Sequence, residues 1–469
     1  MATANPVAGG TFWRGDEGYE DARRGHMWNS RVPARHPDVV VEARNEDDVV
    51  AAVRMARQRS LKIAVRSGGH SWAAAFLRDG GMLIDVSRMC AFSVDAEART
   101  ARLQPGLKGT DFNRALRQHD LFFPSGHCMT VGLGGFLLQG GFGWNSRLWG
   151  PACTSIIAVQ VVTADGELVD ADANRNADLF WAARGAGPGF FGVVTRFEVR
   201  LQPRPKQMMK SDYLYPIEVL DDVLRWVRSV QPSLARIMEC MVFVRRDILG
   251  HPGPGALVTA PVLADSRDEA IEALAMLESC PVLAKAVKRD VNIVTEFDEL
   301  LQGGEDLLYP RQRRYASDNM WTSAPAEALL PGMRSIVATL PRPPSHMMWM
   351  LWGPPRDLPD MAFSMEDDLY IALYSVWQDE AEDAAHQAWV TDHMRSLEPF
   401  ASGIQLADEN LAARPFRFMA DANFHRLQAI RSQRDPEGLF HSYMGLPADW
   451  AGTSEPNRFQ PARSIAATS

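Results

Sequence analysis

The chain has 469 residues, more than one hydrophobic core usually serves, so we expect two domains. Its apolar fraction of 46% and charged fraction of 23% are ordinary for a soluble globular protein. A net charge of −9 without a long basic run argues against nucleic acid or an anionic membrane surface as partner. The five cysteines have neither CxxC nor zinc-type spacing, which argues against a disulfide framework and a structural metal.

Targeting segments are not evident. Residues 1–10 lack a basic segment followed by an apolar core, so we expect no signal peptide. No apolar stretch reaches the roughly 20 residues that a membrane-spanning helix needs. We therefore expect a cytoplasmic protein that does not act at a membrane.

The first 200 residues alternate short β-branched runs with helical or glycine-rich segments. A strand over residues 39–43, a helix capped by Asn45 and a strand over 62–65 predict a βαβ unit. Prolines in residues 201–205 indicate a domain boundary, because proline interrupts helices and strand ladders. The remaining predictions are a helix over 110–119 and strands over 82–86, 100–103, 156–162 and 192–199.

From residue 206 strand-like runs alternate with amphipathic helices. This pattern predicts an α+β domain whose antiparallel sheet is covered by helices on one face. The predicted strands are 208–215, 237–245, 257–263, 285–293, 346–352 and 368–377, and the predicted helices are 218–230, 268–278, 326–339 and 380–397. A last helix is predicted over 423–433.

Two glycine-rich turns each present a nucleophilic side chain after a predicted strand. They are Arg66-Ser67-Gly68-Gly69-His70-Ser71 and Gly126-His127-Cys128-Met129-Thr130-Val131-Gly132-Leu133-Gly134-Gly135. Glycine allows a positive φ and lets a ligand approach backbone N–H groups, which together form an anion site suited to a diphosphate. Taken singly, each turn can be an ordinary turn, with His70 a satisfied polar residue and Cys128 a small buried hydrophobe. Together they favour a site for an electrophilic cofactor ring.

Several motifs in one order carry a family resemblance. After the two turns come Val162-Thr163-Ala164-Asp165-Gly166, Asp178-Leu179-Phe180-Trp181-Ala182-Ala183-Arg184-Gly185 and Phe191-Gly192-Val193-Val194-Thr195. This order resembles the p-cresol methylhydroxylase-type FAD domain, and within it the berberine bridge enzyme-like oxidases, over residues 33–203 and again over 423–440.

The resemblance implies a two-domain, vanillyl-alcohol oxidase-like α+β fold. Its FAD domain, of two α/β subdomains, would span 33–203 after an N-terminal extension (1–32). A substrate domain would span 204–402, and residues 403–469 would return to the FAD domain. A Rossmann site is a weaker reading of Gly132-Leu133-Gly134-Gly135, because no obvious amphipathic helix with a later acidic residue follows.

The resemblance also implies a bicovalent FAD, with His70 bonded to the flavin 8α-methyl group and Cys128 bonded to flavin C6. Val131, three residues after the cysteine, would gate the access of oxygen. The residues expected to contact FAD are Arg66, Ser67, Gly68, Gly69, His70, Ser71, Gly126, His127, Cys128, Thr130, Val131, Gly132, Gly134, Gly135, Gly140, Gly141, Gly143, Gly192, Val194 and Tyr443. The run Pro188-Gly189-Phe190-Phe191 departs from the family's usual glycine-asparagine pattern there.

A catalytic base is less evident. The family's usual tyrosine pair is not matched, since the corresponding region reads Phe416-Arg417-Phe418-Met419-Ala420. Tyr374, Tyr443 and Tyr370 are the candidates; Tyr370 and Tyr374 are four apart on a predicted strand and so share a face, although both can be packing aromatics. A tyrosine with a pKa near 10 acts as a base at neutral pH only if a cation such as Arg417 lowers that pKa.

We therefore expect an FAD-dependent oxidase that transfers hydride from a hydroxyl-bearing carbon, aromatic or alicyclic, to flavin N5 and reduces O₂ to H₂O₂. The open alternatives are a dehydrogenase with another acceptor, an amine or C–C bond-forming oxidase of the berberine bridge type, and a flavin-carrying binding protein. The Met- and Trp-rich run over 347–352 favours an apolar pocket for a small-molecule substrate.

Overall fold

The computed structural model describes residues 7–353 and 357–446. The first six residues of the expected N-terminal extension and residues 447–469 of the expected C-terminal segment lie outside the described residues. Within the described ranges no helix is both long and apolar enough to cross a membrane.

The first sheet has four strands in the order β1-β2-β4-β3, with β2, β4 and β3 parallel. The predicted βαβ unit forms here, and the Asn45 side chain accepts a hydrogen bond of 2.9 Å from the Asp48 N–H, as a helix cap does. The elements are β1 (Thr11–Trp13), α1 (Tyr19–Arg24), β2 (Val39–Glu42), α2 (Glu46–Gln58), β3 (Ile63–Arg66) and β4 (Met82–Asp85).

The second sheet has five antiparallel strands in the order β5-β6-β10-β8-β9, and β7 pairs with β11 beside it. The strands are β5 (Phe92–Asp95), β6 (Thr100–Leu103), β7 (Leu121–Phe122), β8 (Ile156–Val162), β9 (Leu168–Asp172), β10 (Val193–Arg200) and β11 (Gln202–Pro203). The helices between them are α3 (Gly109–Leu116), α4 (Leu133–Leu138), α5 (Ser146–Trp149) and α6 (Ala177–Ala183).

The third sheet has seven antiparallel strands in the order β15-β12-β14-β13-β17-β18-β16. They are β12 (Gln207–Pro216), β13 (Cys240–Arg246), β14 (Pro254–Ala264), β15 (Lys288–Val294), β16 (Arg314–Thr322), β17 (His346–Leu351) and β18 (Leu369–Trp377). The helices of this half are α7 (Leu220–Val230), α8 (Arg267–Ala275), α9 (Phe297–Leu307), α10 (Ala326–Ala338) and α11 (Asp383–Leu397).

The two faces of this third sheet bury different side chains. Val242, Trp349 and Ile371 share one core with helical residues such as Val223 and Leu329. The alternate residues, such as Met241, Met348 and Tyr370, form a second cluster that touches Trp72 and Cys128 of the first half. The sheet is therefore covered by helices on one face, as predicted, and its other face meets the glycine-rich turns.

Several elements were not predicted, among them β5, β9 and α6, and three others contribute residues to the cavity described below: β16, α9 and α4. β16 was not predicted, because its Ala, Ser, Asp and Asn residues have low strand propensity. α9 was not predicted either, since Gly303 and Gly304 in its interior disfavour a helix. α4 begins within the second glycine-rich turn, where no amphipathic helix was expected.

The C-terminal part returns to the first sheet. After α12 (Asp421–Arg434), the His441 N–H donates to the Ile63 carbonyl at 2.9 Å, and Phe440 forms a parallel bridge with Ile63. This contact lies at the β3 edge of the first sheet, so Phe440 and His441 of the C-terminal part lie beside residues of the first half of the chain.

Candidate active site

A cavity of about 700 Å³ lies between the glycine-rich turns and the face of the third sheet that carries Met241, Met348 and Tyr370. Its walls come from both halves of the chain and include His70, Cys128, Tyr370 and Tyr374. A concave, mostly apolar cavity with a few convergent polar groups is the usual form of a ligand site.

The two predicted turns contact each other directly. A Cβ atom on Gly68 would lie 2.5 Å from the backbone N of Gly132, so the close approach requires glycine. Gly69 also has to be glycine, because its φ is +70° and a Cβ would lie 1.8 Å from the His26 carbonyl oxygen. His70 Nε2 lies 2.8 Å from the Thr130 hydroxyl, which joins the second turn to the first.

Burial favours the reactive form of His70 but disfavours the reactive form of Cys128. Burial, with smaller contributions from Arg311 and Lys108, lowers the pKa of His70 to about 3, so its imidazole is neutral at pH 7. Burial, with smaller contributions from Asp408 and Glu305, raises the pKa of the Cys128 thiol to about 12. His70 is ready to act as a nucleophile, whereas Cys128 first has to lose a proton.

Most of the residues expected to contact the cofactor line this cavity. Those that do are Ser67, Gly68, Gly69, His70, Ser71, Gly126, His127, Cys128, Val131, Gly132, Gly134, Gly135, Gly141, Gly192 and Val194. Arg66, Thr130, Gly140, Gly143 and Tyr443 are not part of the lining.

Each of these five has another role. Arg66 is buried in an ion pair with Asp85 at 2.6 Å, and Thr130 bonds to His70. A Cβ on Gly140 would meet the Phe363 ring at 2.8 Å, and one on Gly143 would meet the Pro124 carbonyl oxygen at 2.2 Å. The Tyr443 hydroxyl donates to the Ala186 carbonyl at 2.7 Å. The structure therefore does not bring Tyr443 together with the other two candidate tyrosines.

Asp408 is the residue on which the other polar groups converge. Its carboxylate accepts hydrogen bonds from the Tyr370 hydroxyl at 2.5 Å, the Tyr374 hydroxyl at 2.7 Å and the Trp72 indole N–H at 2.6 Å. We call these four residues the Asp408 cluster. The sequence analysis missed Asp408, which follows no recognisable motif and meets Trp72 across 336 positions of chain.

In the Asp408 cluster the pKa values of the tyrosines are shifted in the direction opposite to the one that a general base requires. Burial, and then the Asp408 carboxylate, raise the pKa values of Tyr370 and Tyr374 well above 10. Arg417, the cation expected to lower them, pairs with Asp421 at 2.6 Å instead. Burial also raises the pKa of Asp408, although its three donors oppose that effect. At neutral pH the tyrosines are therefore proton-bearing donors, and Asp408 accepts their hydrogen bonds.

Two further contacts were not predicted, each between a residue of the cavity lining and a buried group behind it. The Tyr309 hydroxyl lies 3.4 Å from His346 Nε2, while His346 Nδ1 bonds to the Pro344 carbonyl at 2.9 Å. Burial lowers the pKa of His346 to about 3, which keeps it neutral. On the other side, the buried Glu239 carboxylate lies 2.8 Å from His127 Nε2 and ties the Cys128 turn to the third sheet.

The cavity suits FAD at the end formed by the first half of the chain. A Cβ on Gly135 would have no neighbour within 4 Å, so the first turn of α4 faces open space here. His441 lines the same cavity, and its Nε2 is buried without a hydrogen-bond partner among the described residues. Arg78 lines it too and supplies a cation. Exposed turn backbone, a cation and an unsatisfied imidazole together fit a dinucleotide diphosphate.

Both glycine-rich turns lie in a region that matches a known protein family. Residues 37–172 match the family model described as FAD binding domain. The chain is 33% identical to FAD-linked oxidoreductase penO of Penicillium crustosum over 92% of this chain and 95% of that protein.

Two solved structures share the fold. 6-hydroxy-D-nicotine oxidase from Arthrobacter nicotinovorans has a TM-score of 0.82 and 23% identity over 94% of this chain and 98% of the other. Physcomitrella patens BBE-like 1 has a TM-score of 0.80 and 21% identity over 94% and 97%.

The matched domain, the relative that covers nearly the whole chain and the shared fold lead to one conclusion. The chain belongs to the FAD-linked oxidoreductases of the vanillyl-alcohol oxidase/p-cresol methylhydroxylase family and has a berberine bridge enzyme-like fold.

Proposed function

We propose that the protein is an FAD-dependent oxidase whose flavin is bonded to both His70 and Cys128 and which oxidises a hydroxyl-bearing carbon of an aromatic or alicyclic substrate. One observation carries this proposal: the two nucleophiles and the Asp408 cluster line the same cavity. Both attachment points and a proton acceptor thus border one space.

His70 is arranged to form the first bond. Its Nε2 is engaged by the Thr130 hydroxyl, so Nδ1 is the nitrogen that bonds to the 8α-methyl carbon. The Trp28 ring stacks on His70 with centroids 5.2 Å apart and limits the rotation of the imidazole. Since the imidazole is neutral, no proton has to be removed before it attacks.

Cys128 forms the second bond once its thiol is deprotonated. The high pKa makes the thiolate rare at neutral pH, so attachment through sulfur is the slower of the two reactions. Each attachment would replace one flavin C–H bond, at the 8α-methyl group or at C6, and the N–H or S–H bond of the nucleophile by a C–N or C–S bond. The two electrons and two protons set free would pass to O₂ to give H₂O₂. Attachment through Cys128 therefore accelerates with rising pH more than attachment through His70.

Asp408 is the group that accepts the substrate proton. FAD, when bound, takes hydride from the substrate carbon at N5 and passes the electrons to O₂. A carboxylate whose pKa is raised by burial is a stronger base than an ordinary aspartate, and the three hydrogen bonds that Asp408 accepts stabilise its ionised form. Tyr370 and Tyr374 remain protonated and hold the Asp408 carboxylate in place through their hydroxyl groups.

The test is reduction and reoxidation of the FAD-loaded protein with panels of alcohols, amines and sugars. The proposal predicts flavin reduction by alcohols without oxygen, then rapid reoxidation in aerated buffer with one H₂O₂ per turnover. Val131→Leu tests the oxygen gate and should slow only reoxidation. Reoxidation that is slow in air, fast with a quinone and unchanged in Val131→Leu would instead support a dehydrogenase.

A further inference from the structure

The substrate face of the third sheet carries a second group of polar residues far from Asp408. The Asp212 carboxylate accepts a hydrogen bond from the Thr259 hydroxyl at 2.5 Å and lies 2.8 Å from the Lys210 ammonium. All three residues line the cavity. We call them the distal polar group, because β12 and β14 carry them while β18 carries Tyr370 and Tyr374.

The register of the sheet gives the separation between the two polar ends. Asp212 is paired with Thr259, Thr259 with Met241, Met241 with Met350, and Met350 with Tyr370. Adjacent strands lie about 4.8 Å apart, so the four steps from Asp212 to Tyr370 cover about 19 Å. One cross-strand row thus links the distal polar group to the Asp408 cluster.

Between these ends the cavity floor is apolar. Met241 and Met350 lie in the row itself, and Leu257, Phe243 and Met348 form the neighbouring row. All five line the cavity. Thioether side chains adapt to flat ring systems, so this floor suits a rigid apolar body.

The opposite wall leaves room above this floor. Gly303 and Gly304 of α9 line the cavity, and a Cβ on either would have no neighbour within 4 Å. Glu299 and Asp306 of the same helix also line it. Three carboxylates, those of Asp212, Glu299 and Asp306, and the Lys210 ammonium therefore line the distal end. Because acceptors outnumber the cation, this end favours a ligand that donates a hydrogen bond over an anionic ligand.

We propose that the substrate is an elongated, multi-ring apolar molecule with a hydroxyl or amino group at the end opposite the oxidised carbon, and that Thr259 and Asp212 bind this distal group. This inference rests on the proposed function for the identity of the reacting end. The Asp212 carboxylate keeps unused lone pairs after its two bonds, so it can accept from a ligand without losing Lys210 or Thr259.

The test is equilibrium dialysis of FAD-loaded protein against rigid aldehyde rods, which mimic a product and need no turnover. The probes are p-terphenyl-4-carbaldehyde carrying hydrogen, hydroxyl or carboxylate at the 4″ position. We expect the hydroxyl rod to bind about tenfold more tightly than the unsubstituted rod, as one net hydrogen bond provides. We expect the carboxylate rod to bind more weakly than the unsubstituted rod.

Variants and a shorter probe locate the effect. Thr259→Val should abolish the hydroxyl preference and Thr259→Ser should retain it, while Thr391→Val on α11, outside the cavity lining, should change nothing. In 4′-hydroxybiphenyl-4-carbaldehyde the hydroxyl should bring no gain, because two rings do not reach the distal polar group.

Equal binding of the hydroxyl and unsubstituted rods, no binding of any rod, or a preference that survives in Thr259→Val would overturn the inference. Because dialysis does not depend on oxidation, such a result could coexist with alcohol-dependent H₂O₂ release. Conversely, a failed oxidase assay would leave the dialysis result standing.

Discussion

The two walls of the cavity are built by different means. On the first wall, the His70 and Cys128 turns meet backbone against backbone, and the chemistry lies within two short stretches of sequence. On the second wall, the Asp408 cluster gathers side chains from positions 72, 370, 374 and 408. Under the proposed function, local motifs hold the cofactor, whereas residues that only the tertiary fold assembles meet the reacting end of the substrate.

The largest predicted effect comes from a substitution in the second wall. Asp408→Asn removes the proton acceptor, so the rate of anaerobic flavin reduction should fall about 10²- to 10⁴-fold. Covalent flavin content should stay at the wild-type level, because the first wall is intact. The measurement is stopped-flow reduction with the best alcohol found. Asp367→Asn, another buried aspartate with a pKa raised by burial but outside the cavity lining, is the matched control.

The pH dependence sharpens this assignment. A base works when deprotonated, so the reduction rate should fall as the pH drops through the raised pKa of Asp408, and this acid limb should vanish in Asp408→Asn. An Asn variant with the wild-type rate and profile would show that another group takes the proton.

A smaller effect tests the first wall. Gly68→Ala places a Cβ 2.5 Å from the Gly132 nitrogen, so we expect a loss of about 1–3 kcal/mol in the free energy of unfolding together with reduced flavin incorporation. Gly303→Ala is the control, because its Cβ would meet nothing within 4 Å and alanine is favoured in a helix. Denaturant unfolding and the flavin-to-protein ratio measure both. Similar behaviour of the two variants would contradict the close contact of the turns.

The smallest predicted effect distinguishes the roles of the three candidate tyrosines. Tyr374→Phe removes one donor from the Asp408 carboxylate, so the acid limb of the pH profile should move to higher pH and flavin reduction should slow about tenfold. Tyr370→Phe should act in the same direction. Tyr443→Phe should leave reduction unchanged, since that hydroxyl bonds to Ala186 away from the cavity. A slow Tyr443 variant with an unshifted Tyr374 variant would reverse this assignment.

The sequence predicted the family, the βαβ unit and most strands, because these depend on local periodicity and on glycine positions. It did not predict β16, where Asp318 and Asn319 replace the usual β-branched residues. The structure supplies the reason: the Asn319 amide donates to the Asp408 carbonyl at 2.8 Å, and Asp318 forms an ion pair with Arg414 at 2.5 Å. Asn319 and Asp318 thus hold the segment that contains Asp408 against the third sheet. Neither β16 nor Asp408 can be recognised from local sequence, because the polar residues of β16 find their partners in the segment around Asp408 only when the chain is folded.

The most direct test of the central claim is acid precipitation of the purified protein followed by measurement of flavin in pellet and supernatant. We expect the wild type, His70→Ala and Cys128→Ala all to keep flavin in the pellet, through two bonds in the wild type and one in each variant. The double variant should release free FAD into the supernatant. Flavin released from the wild-type protein, or retained by the double variant, would contradict attachment through these two residues.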